Sequence, residues 1–161
     1  NAILSVIIAG IFIMIYIWVR FRDIKFGAGA IIALLHDVLV VLAVYSIARI
    51  PVGTTVIACM LTIVGYSINA TIVVYDRIRE YSHTMVKATT EEIVNTSISQ
   101  TLSRSINTSL TTLIMVLLIY IMGVTSIKEF ALPMMAGIIA GTFSSVFISG
   151  TIWAVMKGKK K

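Results

Sequence analysis

Five long apolar blocks, almost free of charge, constrain this chain more than any other feature. They cover roughly residues 2–19, 28–48, 52–75, 101–123 and 127–156. A helix of about 20 apolar residues crosses the roughly 30 Å hydrocarbon core of a bilayer, so each block is long enough to span. Inside hydrocarbon a segment must satisfy its own backbone N–H and C=O groups, which leaves helices or closed barrels. The Val, Ile and Thr content alone would permit strands, but the ten-residue alternating segments of a barrel are absent. The chain is therefore expected to be all-α: a polytopic membrane helix bundle with five transmembrane helices, forming a single transmembrane domain over residues 1–161.

Composition supports that reading. Hydrophobic residues make up 58% of the chain and charged residues only 12%, about half the charged share of an ordinary soluble domain. A soluble enzyme is excluded. The net charge of +6 does not indicate nucleic acid, because the basic residues sit at the ends of apolar blocks, where the positive-inside rule places them. Arg20, Arg22 and Lys25 follow the first block, and Arg77, Arg79 and Lys87 follow the third. The chain ends in KGKKK, whereas the links after the second and fourth blocks carry only Arg49, or Lys128 with Glu129. This asymmetry predicts a membrane protein with an outside N-terminus and a cytoplasmic C-terminus. Trp18 and Trp153 fall near the same predicted interface, as aromatic belt residues do. The chain opens on Asn1 directly into an apolar block, without the basic leader of a signal peptide. That is the expected appearance of a sequence beginning mid-protein.

A cytoplasmic connector is expected around residues 76–100. Within it, KATTEEIVNTSISQ reads as a short amphipathic helix turning the chain back into the membrane. Thr89 with Glu92 fits a capping box, and Glu91 suits a positive helix N-terminus. Pro51 marks a turn, and Pro133 lies in the first turns of the fifth span. Cys59, the single cysteine, lies in an apolar run and reads as a small buried hydrophobe. His83 reads as a solvated loop residue. Nothing resembles a nucleophile triad, a phosphate loop or a metal cluster, so neither catalysis nor a bound cofactor is expected.

Polar groups inside apolar spans are costly and mark candidate functional sites. His36 and Asp37 in LLHDVLV are the first, with Asp37 about 13 Å into the second span. They form either a proton or cation site or a polar contact locking two helices. The second site is VGYSINATIVVYDRIRE, residues 64–80. Tyr66, Asn69 and Val73 share a face, Ala70 lies beside Asn69, and Asp76, Arg77, Arg79 and Glu80 close the cytoplasmic end. Gly65 and Ala70 are small enough for close helix approach. The third is TLSRSINTSLTT, where Arg104 heads a stripe of Asn107, Thr108, Thr111 and Thr112 running into the membrane. Such a stripe is expected to face protein or water, with snorkelling of Arg104 to the headgroups as the alternative. Gly137 and Gly141 in GIIAG have the small-residue spacing of close helix packing, with Ser144, Ser145 and Ser149 beyond.

These stretches, IIALLHDVLVVLAVYSI, VGYSINATIVVYDRIRE, TLSRSINTSLTTL and GIIAGTFSSVFIS, occur in an order and spacing that resembles SecF, or the SecF half of a fused SecDF, of the bacterial protein-export machinery. The likeness covers nearly the whole chain. It implies half of a transmembrane domain of the resistance–nodulation–division superfamily, here SecF spans two to six, without the first helix and the periplasmic domain. It implies SecD and the SecYEG translocon as partners, unfolded preprotein and membrane lipid as contacts, and a proton or sodium gradient as the energy source. The family commonly carries an aspartate after the GYSIN motif, working near the LSR arginine and an acid of SecD. Arg104 matches that arginine, but the aspartate position is Ala70. The resemblance therefore implies an ion relay at Arg104, Asn69 and Thr108 whose own acid is missing, so that coupling rests on SecD's acid with Arg104, aided by Asp37 or Asp76. The alternatives are a passive structural subunit, a substitution introduced by engineering, or a half-transporter of lipid or drug.

Overall fold

The computed structural model describes residues 2–158, and the side chains of residue 4 and residues 7–158. The basic tail, residues 159–161, lies outside them. Helix α1 is Ala2–Phe21, α2 is Ile24–Ile47, α3 is Thr54–Thr84 and α4 is Thr90–Met122. A last rod combines α5 (Thr125–Phe143), a π-helical turn (Ser144–Ile148) and α6 (Ser149–Lys157). No strand occurs among the described residues. Four rods are long and apolar enough to cross a bilayer: α2, α3, α4 and Thr125–Lys157. Helix α1 adds a shorter apolar stretch, Ile7–Phe21. Large apolar side chains such as Phe12, Leu39, Met122 and Phe147 point outward, as lipid contact requires.

Local chemistry sets the boundaries. Arg22 takes a left-handed conformation (φ 54°), and the next residue, Asp23, caps α2 by accepting from the Lys25 N–H at 3.0 Å. The chain thus reverses within two residues. Helix α2 ends in a Schellman motif, with Arg49 left-handed (φ 51°). The Ile50 N–H reaches the Tyr45 carbonyl at 3.1 Å and the Arg49 N–H that of Ser46 at 3.3 Å. Pro51 follows, where no helix can continue.

The connector differs from its sequence reading. The predicted capping box is present: the Thr89 hydroxyl accepts from the Glu92 N–H at 3.2 Å, and the Thr89 N–H donates to Glu92 Oε2 at 2.8 Å. The helix it starts does not stop at residue 100 but runs on as α4 for 33 residues. Nothing in this stretch breaks a helix. The hydroxyls of Ser97, Thr101 and Ser109 donate to the carbonyls four residues earlier, so they are satisfied within the helix. Helix α3 likewise carries its charged end, including His83, to Thr84; His83 is helical and exposed, not in a loop. At 1.5 Å per residue α4 is about 50 Å long, so its first turns project beyond the hydrocarbon.

Two apolar clusters fill the bundle. One joins Phe21, Phe26, Tyr75, Ile78, Val94 and Trp153, and the other Val41, Tyr45, Cys59, Ile63, Val116 and Ile138. Cys59 is fully buried in the second, as expected. Trp153 corrects its sequence reading. It is 1% exposed and stacks on Phe26 at 4.9 Å, with the Lys157 ammonium 4.3 Å from its ring centre. Close approach of α2 at Gly29, where a β-carbon would stand 3.0 Å from the Ser149 carbonyl oxygen, brings Phe26 within reach. Trp18 is half exposed and remains suited to an interfacial belt.

Candidate functional site: a buried carboxylate and an outward cationic seam

Between the apolar clusters lies a polar layer centred on Asp37, about 20 Å along α2 from Ile24. Asp37 is fully buried. Its Oδ2 accepts from the Ser67 hydroxyl of α3 at 2.5 Å and from the Ser144 hydroxyl, the first residue of the π turn, at 2.8 Å. Its Oδ1 lies 3.0 Å from His36 Nδ1. Three helical elements therefore converge on one carboxyl group. Gly141 permits this: a β-carbon there would stand 3.3 Å from Ser67 Cβ and 3.6 Å from Asp37 Oδ2. Gly137, one turn earlier, is tighter still, since a β-carbon there would meet Ile63 Cδ1 at 2.6 Å and Val41 Cγ2 at 2.9 Å. Both glycines act in helix packing as their spacing predicts. Gly65 does not act so within this chain, because a β-carbon there meets nothing within 4 Å.

A second polar clasp joins α3, α4 and α5. The Tyr66 hydroxyl donates to Ser109 Oγ at 2.7 Å, and Ser109 Oγ lies 2.5 Å from Thr142 Oγ1. Through this contact the antiparallel α3 and α4 are in register, and Ala70 falls about level with Ser105. Ala70 is half-buried and Asn69 exposed.

Arg104, Asn107, Thr108 and Thr111 lie on the outer face of α4. Of the protein or water expected to face this stripe, the chain itself supplies no protein surface. The threonine hydroxyls are satisfied by their own helix: Thr108 donates to the Arg104 carbonyl at 2.8 Å and Thr112 to that of Thr108 at 2.8 Å. No carboxylate of the described residues pairs with Arg104. Only 11% of the apolar stretch of α4 is buried, against 50% for the last rod. Helix α4 thus presents a cation and an amide on a surface that the bundle leaves open.

Asp76 lies elsewhere. Its carboxylate pairs with Arg20 at 2.8 Å, both side chains 43% exposed, and ties the end of α1 to α3. Arg79 donates to the Arg20 carbonyl at 3.1 Å, and Arg77 pairs with Glu80 at 2.7 Å. The sequence-derived residues thus separate into a buried node (Asp37, Gly141), an outer seam (Arg104, Thr108, Asn69) and a helix-end pair (Asp76). Sequence reasoning missed the roles of Ser67, Ser144, Ser109 and Thr142. Ser144 continues the Gly137–Gly141 stripe and was findable by spacing. Nothing local links Ser67 to a carboxylate 30 residues earlier.

A rod bundle with an outward apolar surface and a buried, hydrogen-bonded carboxyl group defines a polytopic membrane protein. Comparison with known proteins is more specific. The family model described as "Protein export membrane protein SecD/SecF, C-terminal" matches residues 1–159, and the chain belongs to that family. It is 46% identical over 148 residues to the protein translocase subunit SecF of Rickettsia bellii, covering 92% of this chain and 48% of that protein. It is 43% identical to SecF of Rhodothermus marinus, covering 94% and 51%. It is 42% identical to the protein translocase subunit SecDF of Bacillus subtilis, covering 99% and 22%. The crystal structure of SecDF in a super-membrane-facing form superposes with a TM-score of 0.90 at 41% identity, covering 96% of this chain and 21% of that one. The chain spans about half the length of the SecF relatives it matches.

Proposed function

We propose that this chain is the membrane half of an auxiliary, non-enzymatic subunit of the Sec protein-export machinery. It works beside a SecD-type half and the SecYEG channel to promote movement of unfolded preprotein across the plasma membrane at the expense of a proton or sodium gradient. The observation that carries the reading is Arg104 on the open face of α4, without a carboxylate partner among the described residues and about level with the family's acid position at Ala70. A guanidinium at the edge of hydrocarbon needs a counter-charge, and a partner half carrying a buried acid supplies one. Moving one unit charge across the membrane field is worth about 2.3 kcal/mol per 100 mV, enough to bias repeated steps of a chain moving outward. The charge asymmetry supports an outside N-terminus and a cytoplasmic C-terminus.

A passive scaffold is the second reading, and Ala70 favours it, because a methyl group holds no proton. Preprotein translocation into vesicles with an imposed proton or sodium gradient tests both. Under the coupling reading Arg104→Ala abolishes the gradient response, and Ala70→Asp changes its pH dependence. Under the scaffold reading neither substitution alters the gradient response while the complex still assembles.

A further inference from the structure

We propose that Asp37, His36, Ser67 and Ser144 form a proton-operated clasp, in which the protonation of Asp37 decides whether the π turn is held to α2. Its use in export rests on the coupling reading above; its chemistry does not.

Asp37 is wholly buried, and His36 is the one ionisable side chain of the described residues in contact with it. The other groups facing it are neutral: Ser67 from α3, and Ser144 with Gly141 from the last rod. The site suits a proton better than a metal ion. Both serine hydroxyls are placed as donors to Oδ2, Ser67 at 2.5 Å and Ser144 at 2.8 Å, an arrangement that serves a carboxylate rather than a cation. Among the described residues no group of three or more His, Cys, Asp or Glu side chains could hold a metal.

Ser144 supplies the moving part. Its hydroxyl has one hydrogen and two acceptors in reach, Asp37 Oδ2 at 2.8 Å and the Gly141 carbonyl at 3.2 Å. Ser144 also opens the π turn, and its carbonyl takes the Ser149 N–H five residues on. His36 is the outer member of the pair: its side chain is 37% exposed while that of Asp37 is 1% exposed. A protonated His36 passes its Nδ1 hydrogen to Asp37 Oδ1. The N–H bond breaks, the O–H bond forms, and the imidazole is left neutral with its hydrogen on Nε2. Oδ2 then changes from a carboxylate to a carbonyl oxygen. Hydrogen bonds to an ionised group are roughly twice as strong as neutral ones, so the Ser144 hydroxyl turns to Gly141 and the π turn is released from α2. Return of the proton to His36 restores the clasp.

The test uses the full-length protein assembled with its companion subunit in vesicles, read by infrared difference spectroscopy and amide hydrogen exchange. On acidification a protonated-carboxyl band is expected. It is absent in Asp37→Asn, shifted in frequency in Ser67→Ala and Ser144→Ala, and slower to form in His36→Gln. Amide exchange over residues 144–150 rises severalfold on acidification in the parent protein and stays constant in Asp37→Asn. If Asp37→Asn fails to assemble, the frequency shift in Ser144→Ala carries the test. A band unchanged by these substitutions, or exchange that follows sodium at fixed pH, overturns the proposal. A clasp that titrates in a protein whose export ignores the gradient supports this inference and overturns the coupling reading instead.

Discussion

Gly137 approaches Ile63 so closely that a β-carbon on Gly137 would stand 2.6 Å from two atoms of the isoleucine side chain. This contact sets the distance between the last rod and α3 beside the Asp37 node. Gly137→Ala is therefore expected to destabilise the bundle by about 1–3 kcal/mol, the usual range for overpacking a tight core. Gly65→Ala, inside a helix on an open face, is expected to stabilise by about 0.5–1 kcal/mol through helix propensity. Thermal unfolding of both variants in the same detergent measures the difference. Equal losses would show that the helix spacing is not set at Gly137.

The Asp37 node distinguishes a change of charge from a loss of hydrogen-bond acceptors. Asp37→Asn keeps an oxygen for the two serine hydroxyls, whereas Asp37→Leu leaves Ser67 without its acceptor in an apolar interior, Ser144 retaining the Gly141 carbonyl. An unsatisfied buried polar group costs about 1–3 kcal/mol, so Asp37→Leu is expected to be the less stable by that amount. Denaturation midpoints of the pair, with Ser67→Ala/Asp37→Leu as the rescue, check the assignment.

Asp76 and Arg20 share a half-exposed ion pair, a class typically worth about 0–1 kcal/mol. Asp76→Asn is expected to cost no more than about 1 kcal/mol and to leave gradient-driven transport intact. Loss of the gradient response in that variant would move the relay to the C-terminal end of α3.

Thr89 caps the longest helix through reciprocal bonds with Glu92. Thr89→Ala is expected to cost about 1 kcal/mol and to raise amide exchange selectively over residues 90–94. Uniform exchange along α4 would mean that packing of Ile93 and Val94, not the cap, holds this end.

The outer seam yields a prediction about assembly. Arg104 has no carboxylate partner among the described residues, so Arg104→Ala is expected to leave the stability of the isolated chain within about 0.5 kcal/mol. Recovery of the companion half in co-purification is expected to fall. Unchanged recovery would indicate that Arg104 meets headgroups instead.

Much of this was legible in the order of residues. Block length and hydrophobicity determine the helical rods, because a backbone in hydrocarbon must bond to itself. The Thr89–Glu92 box, the Gly137–Gly141 spacing and the burial of Cys59 followed from local rules, which act within one or two turns. Tertiary structure alone decided which polar groups meet. It joined Asp37 to Ser67 and Ser144 from two other elements, buried Trp153 under Phe26 where belt chemistry predicted exposure, and turned Arg104 outward. Helical periodicity fixes which residues share a face, but it does not say what that face touches. That depends on how the rods rotate and cross, and small residues such as Gly137 and Gly141 settle it by allowing one approach and no other.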